Sequence, residues 1–126
     1  NWDLVDISCR DIVGAFLDGK SKKPLYTFAK SRNLWERRIA IISTLHYIKN
    51  GQLDDTFKIA ALLLGDKEDL LNKAAGWMLR EAGKKDIAAE KAFIKEHYGK
   101  MPRTMLRYAI ERFPPAERKK YLSGTI

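Results

Sequence analysis

Glycine and proline cut this chain into lengths suited to single helices: Gly19, Pro24, Gly51, Gly65, Gly83, Gly99, Pro102, Pro114 and Gly124. Glycine interrupts a helix through its backbone freedom and proline through its missing N–H, so regular elements belong between these positions. Within the segments the apolar residues recur at helical rather than alternating spacing. Leu4, Ile7, Val13, Phe16 and Leu17 give a first helix with a broad apolar face. Residues 24–31 suit a short second helix with proline in its first turn. A longer one spans residues 33–49, with Leu34, Arg38, Ile41, Ile42, Leu45 and Ile48 on one stripe and Asn50-Gly51 as its stop.

Further helices are predicted over residues 54–64, 67–82, 86–98, 103–113 and 115–122. The first members of successive pairs begin near Leu34, Leu70 and Met101, a loose repeat of the length of a helix hairpin. No segment reads as a strand. The expected fold is therefore all-α: a right-handed α-α superhelix of antiparallel helix pairs, with a generic helical bundle as the alternative that periodicity does not separate from it. With 126 residues, 45% of them hydrophobic, residues 1–126 make one helical-repeat domain with a core of its own.

The charge points to partners. Lys and Arg number 24 against 16 Asp and Glu, a net +8 with a pI near 9.6, which favours polyanions, although ribosomal and membrane-surface proteins share that bias. The one cysteine, Cys9, excludes an internal disulfide and a cysteine-cluster metal site and suits a reducing, cytoplasmic compartment. Apolar runs such as Ile59-Ala60-Ala61-Leu62-Leu63-Leu64 are too short to span a bilayer. His46 and His97 have no partner at ligand spacing, Ser8 and Cys9 no evident activating base, and there is no phosphate-cradling glycine loop. No metal site is expected.

A more specific chemistry comes from the aromatic, acidic and basic residues. Trp2 and Asp6, four residues apart, share one face of a helix. With the later basic helix Leu34-Trp35-Glu36-Arg37-Arg38-Ile39-Ala40 and the segment Gly76-Trp77-Met78-Leu79-Arg80 they supply an acid, aromatic walls and a cation, the means of cleaving a bond to a cationic base in DNA. Taken alone, Asp6 reads first as a helix-terminal acid set against the helix dipole, and Trp2 and Trp77 as core residues. Trp35 is assigned to packing between helices. Arg37 and Arg38 point about 100° apart, so only one of them faces any given groove, and Arg37 is expected to pair with a carboxylate or meet solvent. The runs at Lys20-Ser21-Lys22-Lys23 and Arg118-Lys119-Lys120 read as solvated.

Four motifs in order, Asn1-Trp2-Asp3-Leu4-Val5-Asp6, Leu34-Trp35-Glu36-Arg37-Arg38-Ile39-Ala40, Lys73-Ala74-Ala75-Gly76-Trp77-Met78-Leu79-Arg80-Glu81 and Met101-Pro102-Arg103-Thr104-Met105-Leu106-Arg107-Tyr108-Ala109, resemble the DNA alkylation repair family, alkylpurine DNA glycosylases built from HEAT-like repeats. The resemblance runs over essentially the whole chain. Members of that family are longer and carry further repeats before the Trp-Asp motif, so this chain is expected to be the C-terminal portion of such a protein.

The resemblance implies base excision without metal or cofactor, by a monomer, on double-stranded DNA containing alkylated bases lying along a concave basic surface. It makes Asp6 the catalytic carboxylate rather than Asp3, Trp2 and Trp77 the walls around the base, and Arg38 the phosphate contact. Arg80, Arg103 and Arg107 recur on first helices of later pairs and are candidates for continuing a phosphate track. The competing expectation is a non-catalytic helical-repeat scaffold that binds nucleic acid or protein.

Overall fold

The computed structural model describes residues 23–125, and every regular element among them is a helix. In chain order these are α1 (Lys23–Ala29), α2 (Leu34–Lys49), α3 (Asp54–Leu62), α4 (Asp69–Lys85), α5 (Ile87–His97), α6 (Arg103–Ala109) and α7 (Pro115–Ser123), with a 3-10 turn, Tyr98–Lys100, following α5. The first predicted helix lies outside the described residues, and Trp2, Asp3, Asp6 and Cys9 with it.

Local chemistry accounts for most helix ends. The Asn33 side chain caps α2 by accepting from the backbone N–H of Trp35 at 2.8 Å and of Glu36 at 3.3 Å. Beyond the other end, Gly51 takes φ +79° and its N–H returns to the Ile48 carbonyl at 2.9 Å, a left-handed conformation that glycine adopts at no steric cost. Asp86 alone separates α4 from α5 and serves both: its N–H donates to the Ala82 carbonyl at 3.0 Å, and its carboxylate accepts from the Ala89 N–H at 3.1 Å.

Two boundaries depart from the expectation. Helix α4 does not stop before Gly83 but runs on to Lys85. Gly83 is there for space: a Cβ at that position would fall 2.0 Å from Oε1 of Glu90 on α5. Helix α6 ends at Ala109, short of residue 113, and residues 110–112 form a turn ahead of Pro114.

The first helices of the pairs, α2, α4 and α6, pack successively on one another, while α3 packs against α2 and α5 against α4. The second helices are linked in turn, by stacking of Phe57 on Phe93 with centroids 5.4 Å apart and by the Lys91–Glu117 ion pair at 2.8 Å. This two-layered pairing is consistent with a stack of helix hairpins. Helix α1 closes over α2 and α3, where the Tyr26 hydroxyl donates to Asp55 at 2.5 Å.

Helix α2 is more buried than one stripe implies. Ala40, Ser43, Thr44 and Tyr47 are enclosed along with Ile41, Ile42, Leu45 and Ile48, because α1, α3 and α4 all pack against it. The Thr44 hydroxyl is satisfied within the helix, donating to the Ile41 carbonyl at 2.6 Å. Among the described residues no helix is long and apolar enough to cross a membrane.

Candidate nucleic-acid interface

The α2–α4 contact bears on two of the candidate site residues, Arg38 and Trp77. Arg38 is enclosed, 8% exposed, and its Nη1 donates to the Leu70 carbonyl at 2.8 Å. That bond reaches from α2 into the first turn of α4 and fixes where α4 begins relative to α2. A buried guanidinium needs such acceptors, since an unsatisfied charge in the interior is costly. Arg37, one position away, faces elsewhere: its Nε meets Asp66 at 2.8 Å and its Nη1 donates to the Ser31 carbonyl at 3.0 Å. The expected pairing of Arg37 with a carboxylate is what the structure shows.

Trp77 lies seven residues beyond Leu70 on α4, about 10 Å along the helix axis. The ring is half-buried against the core. Its Nε1 donates to Oε1 of Glu81 at 3.3 Å, one turn further along the same face. Glu81 is held in turn by Lys84, whose Nζ lies 2.8 Å from Oε2 and 3.2 Å from Oε1. Burial by itself would raise the Glu81 carboxyl, but the bond and charge of Lys84, the Trp77 N–H and the charge of Arg80 prevail and hold it below its ordinary value. At the start of the same face, Asp69 accepts from Thr104 of α6 at 3.0 Å and pairs with Lys73 at 3.3 Å.

The candidate phosphate contacts divide by environment. Arg80 is bound through Nη1 to Glu111, and its Nε is buried with no hydrogen-bond partner. Arg103 donates through Nη2 to the Leu122 carbonyl, which ties α6 to α7. Arg107 is exposed on α6 and makes no hydrogen bond or ion pair among the described residues, which suits its guanidinium to an external anion.

Trp35 corrects an expectation: it is 44% exposed and does not serve as a buried packing residue. It occupies the first turn of α2, beside the Asn33 cap. Trp2 and Asp6 lie outside the described residues, so their approach to Arg38 and Trp77 is not part of this geometry. Sequence reasoning missed Glu81, although a carboxylate four residues after Trp77 and three before Lys84 was a legible signal.

A cavity of about 490 Å³ between α3 and α5 has opposite electrostatics: Asp54, Asp86 and Glu96 rim it around Phe57 and Phe93. Three carboxylates and no cation make that groove a poor seat for phosphate. Among the described residues no group of His, Cys, Asp or Glu is placed to hold a metal ion.

Residues 1–113 match the family model described as DNA alkylation repair enzyme. No curated protein and no solved structure matches the chain.

Proposed function

The chain belongs to the DNA alkylation repair enzyme family, and we propose that it is a DNA glycosylase that releases cationic N3- or N7-alkylated purines by hydrolysis of the N-glycosidic bond. DNA is the substrate that membership implies; double-stranded DNA with alkylated bases, bound by a monomer, is the finer reading. The observation that carries it is the family match across residues 1–113, which takes in the Trp-Asp, Arg38 and Trp77 motifs together.

The chemistry asks little of the protein. A purine alkylated at N3 or N7 already carries positive charge and leaves as a neutral base, so no proton need be delivered to it. As the bond lengthens, charge moves onto the sugar, and a carboxylate beside it stabilises that developing cation and orients the attacking water. Asp6 takes this role in the proposal. Trp2 and Trp77 wall the lesion, an aromatic face attracting a cationic base by roughly 0.5–2 kcal/mol. Arg38 is assigned to the phosphate flanking the lesion, which a guanidinium meets through charge-assisted hydrogen bonds. Neutral adducts, which lack the activated leaving group, react poorly.

A second reading, a non-catalytic scaffold, is favoured by one observation: Arg80 and Arg103 are engaged by Glu111 and by the Leu122 carbonyl, as structural arginines are. Single-turnover release of 7-methylguanine from duplex DNA separates the two. Release above the spontaneous rate that disappears in Asp6→Asn supports the glycosylase. DNA binding without any release supports the scaffold.

A further inference from the structure

We propose that Glu81 is the positioning residue for Trp77: its carboxylate holds the indole by the ring N–H and presents the negative end of the Glu81–Lys84 pair to the ring edge, favouring a cationic base against the ring face. The proposal rests on the reading of Trp77 as a wall for that base.

Three observations carry it. The indole N–H is the only polar group of tryptophan and donates only, and here it donates to Glu81 Oε1 at 3.3 Å. The acceptor is an anion, since Lys84 touches both its oxygens, at 2.8 and 3.2 Å, and a hydrogen bond to an ionised acceptor is roughly twice as strong as a neutral one. The side chains differ in exposure, Glu81 at 19% and Lys84 at 45%. The carboxylate therefore sits in the less solvated position nearer the ring, and the ammonium lies farther out, where water screens it more.

A tryptophan on a helix surface has several rotamers available. One side of Trp77 rests on the core, and the bond to Glu81 at i+4 selects the orientation that keeps the remaining surface turned outward. Negative charge at the ring edge adds to the attraction that the ring quadrupole already exerts on a cation. Aspartate at this position would be one methylene too short to keep both the indole and Lys84. Glutamine would keep an acceptor for the N–H and lose the charge.

Glu81→Ala and Glu81→Gln test this by two readouts. The first is the Trp77 indole ¹H–¹⁵N resonance, identified by its loss in Trp77→Phe. It should move with pH as Glu81 protonates in the wild type, shift upfield in Glu81→Ala, and stay near its wild-type position without that titration in Glu81→Gln. The second is single-turnover release of 7-methylguanine. Glu81→Ala should slow it about tenfold, the upper part of the cation–π range, with unchanged affinity for undamaged DNA, and Glu81→Gln should recover part of the loss.

An indole resonance indifferent to both substitutions overturns the proposal, and so does wild-type release by Glu81→Ala. Should the wild-type protein release no base at all, it is the glycosylase reading that fails, and the indole resonance still decides whether Glu81 holds Trp77. Circular dichroism and thermal melting confirm that both variants fold.

Discussion

Gly76 of α4 faces Tyr108 of α6 so closely that a Cβ at position 76 would lie 2.5 Å from the Tyr108 Cβ and 2.6 Å from the Met105 carbonyl oxygen. The two helices cross there with backbone nearly against backbone, which fixes α6 relative to the helix that carries Trp77. Gly76→Ala brings two opposed effects. Alanine raises helix propensity by about 1 kcal/mol, whereas overpacking at a backbone contact costs about 1–3 kcal/mol. The obstructing atoms belong to the main chain and a Cβ and have no rotamer to retreat into, so overpacking prevails. Urea denaturation should show net destabilisation, and an unchanged or raised midpoint would contradict the close approach.

Glu90 supplies a pH dependence. Its side chain is buried against Gly83 with Oε2 unpartnered. Burial raises its pKa from 4.5 to about 8, against the opposing pull of Arg80 and Lys91. The folded state thus holds this proton more tightly than the unfolded chain does. The stability it confers is fully present below about 4.5 and is lost as pH rises toward about 8. Glu90→Gln should flatten that decline, matching the wild type near pH 4.5 and exceeding it at pH 8 by an amount on the order of a few kcal/mol. Parallel stability curves for the two proteins across that interval would refute the assignment.

Arg37 and Arg107 should behave oppositely. Arg107 is exposed and unengaged among the described residues, so Arg107→Ala should weaken DNA binding and lower the slope of log K against log salt by about 1, with stability nearly unchanged. Arg37 is committed to Asp66 and the Ser31 carbonyl, and Asp66→Ala leaves that guanidinium short of its main acceptor. Thermal denaturation should register a loss of about 1–3 kcal/mol for Asp66→Ala, while the salt slope stays at its wild-type value. A salt slope lowered by about 1 in Arg37→Ala would place Arg37 on the DNA after all.

Asp6→Asn tests the chemistry. Replacing the charge while keeping the shape should slow release of 7-methylguanine by about 100-fold or more, the scale on which a group aimed at developing charge acts. Affinity for DNA should hold or tighten, because a carboxylate beside the phosphates repels them. A loss confined to kcat with KM preserved marks an interaction made in the transition state. Wild-type release by this variant would reduce Asp6 to a helix-terminal acid.

Helix identity and most helix ends were legible in the sequence, because their causes are local. Asn33 caps α2 through groups two and three residues away, Gly51 terminates it through its own φ, and Pro115 opens α7 where its missing N–H is no loss. The motifs that place the chain in its family are likewise runs of neighbouring residues, readable without coordinates, and so was the expectation that Arg37 would find a carboxylate.

What the arginines and tryptophans do was decided only by tertiary contact. Arg38 takes the carbonyl of Leu70, Arg80 the carboxylate of Glu111 and Arg103 the carbonyl of Leu122. These partners lie 32, 31 and 19 residues away in the chain, beyond the reach of any helical period. Gly83 reads in sequence as a stop, yet α4 continues through it because Glu90 of the next helix fills the space a side chain would need. Trp35 reads as core and is exposed, since hydrophobicity measures a residue's preference while packing grants or withholds the place. Caps and turns depend on energies between residues a few positions apart, so sequence alone determines them; burial and pairing depend on which helix arrives opposite, and only the assembled fold decides that.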